Sequence, residues 1–182
     1  MAKKWTTWTG ASSTAWATAG NWSNGLPDAD DTAVIDGAVD IVGGAVSSGD
    51  VDAVYVASTY TGDIGSSGTP AGTATKMIVN STATGTFYLG VSASKTLAIT
   101  ELIMVGCSNA TVDASTAANI AWASSGKVHM DAGELKMSEN FGASGVCECL
   151  GGTLTISAWT ITSGDILNLR GGAVNWNSGA AT

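Results

Sequence analysis

Three stretches in the second half of the chain repeat one pattern: "VHMDAGELKM" (Val128–Met137), "CECLGGTLTI" (Cys147–Ile156) and "LNLRGGAVNW" (Leu167–Trp176). They start 19 and then 20 residues apart. Each reads apolar-x-apolar, two variable residues, glycine, x, apolar-x-apolar. Val128, Cys147 and Leu167 share a column, as do Met130, Cys149 and Leu169; beyond the bend come Leu135, Leu154 and Val174, then Met137, Ile156 and Trp176. Alternation of period two marks strands with one buried face. Gly133, Gly152 and Gly172 take the bend, where a positive φ is expected. Such a unit cannot close a core alone, but parallel stacking buries its apolar columns against each other. The expected fold is all-β: a single right-handed parallel β-helix with coils of about 20 residues, each rising by about 4.8 Å.

The earlier chain follows the pattern more loosely. "TAVIDGAVDIV" (Thr32–Val42) is strand, glycine, strand. "DAVYVASTYTGDIG" offers Val54 and Val56, then Tyr60 and Ile64. "GTFYLGVSASKTLAIT" offers Phe87 and Leu89, then Leu97 and Ile99; "ELIMVGCSNATVD" offers Ile103 and Val105, then Cys107. The run Gly65–Thr75 reads as a loop.

"NWSNGLPDADDTAVIDG" resembles the opening of many β-helical passenger and surface proteins, where a Trp-rich stretch, an "NW…G.P" turn and an Asp-rich step lead into the first coil. "VYVASTYTGDIG" is similar to the second-coil signature of that group. The resemblance spans about Trp16 to Gly65, and it implies the fold more than the function. Autotransporter passengers in the group are secreted and joined to a membrane barrel. Here the start, "MAKKWTTWTGASS", has no apolar segment after its lysines, so a signal peptide is not expected. No apolar run is long enough for a membrane helix. The short Gly/Ala/Ser/Thr-rich chain therefore looks like a structural component of a bacteriophage particle: a capsid decoration (cement) protein, or a fibre or spike module.

Charge narrows the partners. The net charge is −8 with seven Lys and Arg, which leaves no basic face for phosphates, so no nucleic-acid partner is expected. The three cysteines, Cys107, Cys147 and Cys149, read as reduced core thiols; one histidine is too few to complete a zinc site around Cys147 and Cys149. Asp28, Asp30, Asp31 and Asp36 fail EF-hand spacing, since Thr32, Ala33 and Val39 fall where ligands and glycine belong. They read instead as caps for free backbone amides before the first coil. No metal or cofactor is expected.

Two features remain as candidate sites. Trp5, Trp8, Trp16 and Trp22 crowd the first 22 residues. They either cap the open end of the solenoid or form an attachment arm, with Lys3, Lys4, Trp5, Trp8 and Trp16 touching a partner. Second, the repeat places His129, Glu148 and Asn168 in one outward column about 5 Å apart. This is either a polar ladder or an acid/base pair of the kind glycan-cleaving spikes use. Trp176 either closes the C-terminal end or packs on a neighbouring subunit.

The resulting expectation is a cap or arm over residues 1–25 and a β-helix over residues 26–182. The function expected is non-enzymatic: a homotrimer on the outer capsid surface of a virion, bridging copies of the major capsid protein, with no catalytic residues and no membrane partner. The alternative is a fibre or spike module that binds host glycan through aromatics such as Trp122 or Trp159.

Overall fold

The computed structural model describes residues 2–41, 51–65, 74–79, 86–88, 97–114, 120–137, 145–157 and 164–176. The chain is a parallel β-solenoid. An eight-stranded sheet stacks β1 (Trp5–Thr7), β2 (Thr32–Ile35), β3 (Val51–Val56), β4 (Ala74–Val79), β6 (Leu97–Met104), β8 (Ile120–Met130), β10 (Val146–Cys149) and β12 (Ile166–Leu169), in that order. A second sheet stacks β5 (Thr86–Tyr88), β7 (Thr111–Ala114), β9 (Glu134–Met137), β11 (Thr153–Ile156) and β13 (Ala173–Trp176). Each of the last four turns, from β6/β7 to β12/β13, gives one strand to each sheet. Single bridges Ile41–Ile64 and Ile64–Phe87 carry the second sheet back into the earlier coils.

The aligned columns are the pairing register. Val128 pairs with Cys147, and Cys147 with Leu167. Leu135 pairs with Leu154, and Leu154 with Val174. One inward column of the large sheet runs Ile35, Val56, Val79, Met104, Met130, Cys149, and all six are fully buried apart from traces. Stacking of these columns buries the inward side chains of each turn against those of the next in one apolar cluster.

The bend glycines are required by the stacking. Gly133, Gly152 and Gly172 have φ of 79°, 79° and 77°, a region that side chains with a Cβ rarely adopt. A Cβ on Gly152 would lie 2.4 Å from the carbonyl oxygen of Gly133, and one on Gly172 would lie 2.3 Å from that of Gly152. Each coil therefore rests on the bare backbone of the one before.

Aspartates tie the turns together. Asp40 accepts the N–H of Asp63 (2.9 Å), and Asp63 accepts that of Thr86 (2.6 Å). Asp131 accepts from Gly106, and Asp165 from Gly145, both at 3.0 Å. Each bond links neighbouring coils, so much of the acidic charge serves as corner cross-links that satisfy backbone donors which strand pairing leaves free.

Three sequence expectations are corrected. Leu102 and Met104 face the core, while Ile103 is half-buried and Val105 exposed on the outside. The run Leu102–Val105 is apolar at every position, so alternation gives no phase, and a one-residue slip exchanges the two faces. β4 was not anticipated; it begins at Ala74, inside the expected Gly65–Thr75 loop. A strand within residues 1–25 was not expected either: β1 is the first strand of the large sheet and pairs Trp5–Thr7 with Thr32–Val34. Leu89 lies outside the described residues.

Candidate functional site

The N-terminal end is closed by a built cap. Trp8, Trp16 and Trp22 are all buried. Trp22 meets Trp8 edge-on at 5.2 Å and Trp16 at 4.7 Å, both at 71°. Its indole N–H donates to the carbonyl of Trp16 (2.9 Å), and that of Trp8 donates to Val39 (3.1 Å). The Trp16 Nε1 is buried with no hydrogen-bond partner. Leaving that donor dry costs about 1–3 kcal/mol. Burying an indole of roughly 200 Å² contributes about 5 kcal/mol, so the apolar term wins.

The same segment covers the free edge of β1. Ser23 donates its N–H to Thr7 (2.9 Å), and its hydroxyl accepts the Thr7 N–H (2.9 Å). Asn24 Nδ2 donates to the carbonyl of Trp5 (2.8 Å), and the Thr9 N–H donates to Asn21 (2.7 Å). Asn21, fully buried, fixes the loop: its Oδ1 accepts from Ser12 and Ser13 at 2.8 Å, and its Nδ2 donates to Ser13 Oγ and the Ala15 carbonyl. An edge strand blunted this way cannot template another chain. From sequence Asn21 reads only as the opening residue of the "NW…G.P" turn, which does not announce its bonding role.

Of the proposed contact residues, Trp8 and Trp16 have no surface to offer a partner, because they form the cap. Trp5 does, being 63% exposed. Lys3 forms an ion pair with Asp52. Lys4 is paired with Asp31 at 3.1 Å.

Asp31 is the clamp of the aspartate cluster. It is buried and accepts the backbone N–H groups of Lys4 (3.1 Å) and Asp28 (2.9 Å). Burial pushes its carboxyl up, but these hydrogen bonds and the Lys4 ammonium outweigh that and hold it below the usual carboxylate range. A depressed carboxylate adds stability above its unfolded pKa, and that stability is lost as pH falls through the folded value. Asp31→Asn is expected to lower stability by about 2 kcal/mol at neutral pH. The gap to wild type should narrow below about pH 4, as urea midpoints at pH 7 and pH 3 would show. An equal gap at both would contradict the assignment.

The second candidate, the outward column of the large sheet, is assembled as the repeat implied. Glu148 stands in register between His129 and Asn168. Its Oε2 lies 2.9 Å from His129 Nδ1, and its Oε1 accepts from Asn168 Nδ2 at 3.2 Å. The His129 and Glu148 side chains are 39% and 34% exposed. Neighbouring coils add Glu101, held by Lys76 at 3.0 Å, and Lys127, which stands beside Glu101 in register. Trp122 lies on β8, and Trp159 is outside the described residues.

The cysteines face inward and are buried. Burial pushes the Cys147 thiol up to about 12 and that of Cys107 to about 11, so both are protonated at neutral pH. Among the described residues, no group of three or more His, Cys, Asp or Glu is placed to hold a metal ion.

Compared with known protein families, curated proteins and solved structures, the chain matches none.

Proposed function

We propose that this chain is a non-enzymatic structural protein of a bacteriophage virion, decorating the outer capsid and bridging copies of the major capsid protein. The observation that carries the reading is the placing of exposed apolar side chains at both ends of a stiff body. Trp5 lies at the first strand of the large sheet, while Ile166 (55% exposed) and Leu169 (47%) lie at its last. Exposed apolar side chains on the first and last strands of the sheet suit a bridge between two neighbours.

Trp5 is a suitable anchor, being a large aromatic whose backbone is fixed by β2 on one side and Asn24 on the other. Little ordering entropy is then lost on binding. The −8 charge supports a place outside the shell, away from packaged phosphates. A homotrimer would repeat each weak contact and raise its effective strength.

The test is sedimentation of purified protein with expanded empty capsids. Binding by the wild type, weakened at least about tenfold by Trp5→Ala, supports the reading. No capsid affinity, or capsid affinity unchanged by Trp5→Ala and by Leu169→Asp, overturns it.

A further inference from the structure

The outer face of the large sheet carries a shallow cleft of about 300 Å³ across β6, β8 and β10. This is the lower end of the range for small-ligand sites, about 300–1,000 Å³, and suits one sugar-sized ring. Its apolar floor includes the half-buried, outward side chains of Ile103 and Val146. Its charged rim is Glu101, Lys127, His129 and Glu148.

The charges on that rim are unequally committed. Glu101 is engaged by Lys76 on one side, at 3.0 Å. Glu148 is engaged on both sides, by His129 and Asn168. Lys127, exposed, stands in register between Glu101 and Val146, and makes no ion pair or side-chain hydrogen bond among the described residues. The cleft therefore holds one uncommitted cation among carboxylates that already have partners.

We propose that this cleft binds a monosaccharide unit bearing a carboxylate. The carboxylate pairs with Lys127, which has Glu101 as its neighbour in register but makes no ion pair among the described residues. With Glu148 against Nδ1, the other ring nitrogen of His129, Nε2, is left to hydrogen-bond a sugar hydroxyl. The remaining lone pairs of Glu101 and Glu148 accept further hydroxyls. The C–H face of the ring lies on Ile103 and Val146. A phosphate dianion fits less well, because the rim sets one Lys127 ammonium against two glutamates, Glu101 and Glu148. This goes beyond a capsid-bridging role, since it places a ligand on the face between the two contact ends.

The test is titration of the full chain with methyl glucuronide, methyl glucoside, acetate and inorganic phosphate, followed by NMR shifts of the β6, β8 and β10 amides. The expected result is millimolar binding of the glucuronide, with the other three at least about tenfold weaker. Lys127→Met should weaken glucuronide binding about tenfold while leaving the thermal midpoint unchanged, because the side chain is exposed. His129→Gln keeps an amide acceptor and should weaken it less. The proposal is overturned by no glucuronide binding, by glucoside, acetate or phosphate binding as tightly, or by Lys127→Met binding as well as wild type.

Discussion

Gly152→Ala is expected to cost at least about 3 kcal/mol, a large part of the 5–15 kcal/mol that holds an ordinary domain together. Two effects add. An alanine at φ near 79° is strained by about 1–2 kcal/mol. The new Cβ also meets backbone, 2.4 Å from the Gly133 oxygen and 2.8 Å from the Ala132 carbonyl carbon, and neither can swing away as a side-chain tip can. Gly37→Ala separates the two terms. Gly37 has φ of 85° but nothing within 4 Å of its Cβ position, so only the conformational cost applies. Urea midpoints for both variants give the answer. If Gly152→Ala is no worse than Gly37→Ala, the bends do not stack as tightly as described.

Trp22→Ala is expected to remove about 3–5 kcal/mol, the cost of truncating a buried aromatic. Trp22 is the centre of the cap, touching Trp8 and Trp16 and hydrogen-bonded to the latter. The place of the damage is as telling as its size. In a solenoid each turn contacts only its neighbours, so loss of a cap frays the adjacent turns first. Hydrogen exchange should accelerate at β1 and β2 while β10 and β11 stay protected. Uniform acceleration through β11 would falsify this local picture and mean that the coils melt as one unit.

These expectations rest on features that the sequence displayed unevenly. The last three coils were legible down to the pairing register, because their alternation is unbroken and each carries a bend glycine in the same column. The outward trio His129, Glu148 and Asn168 followed directly from that alignment. The first coils were less legible. Apolar residues at every position from Leu102 to Val105 erased the phase, and "ATKMIV" is short and interrupted by Lys76. The partners of Lys3 and Lys4, Asp52 and Asp31, lie 49 and 27 residues away, and no local pattern announces such pairs. The four early tryptophans were visible as a group, but not their division into three that seal and one that faces out. Alternation along the three-residue β1 separates the outward Trp5 from the inward Trp8, whereas Trp16 and Trp22 are placed by the segment that folds over the end. The cleft depends on Glu101 and Lys127 standing side by side, which required the register of β6 against β8.

The direction of the hydrogen bonds has a mechanical consequence. They run along the solenoid axis, so a pull between the two ends loads every rung in series, and each junction bears the same force. Rupture then begins where the fewest bonds share the load. β6 and β8 pair over Leu97–Ile99 and again over Glu101–Met104, whereas β1 and β2 pair over Trp5–Thr7, with one flanking backbone bond at each end, to Lys4 and from Trp8. Among the described residues the β1–β2 junction is a short one, and it is reinforced by the Lys4–Asp31 clamp. A sideways push instead shears whole rungs against their neighbours and must break all their bonds together. A body built this way is stiff across its axis and yields along it.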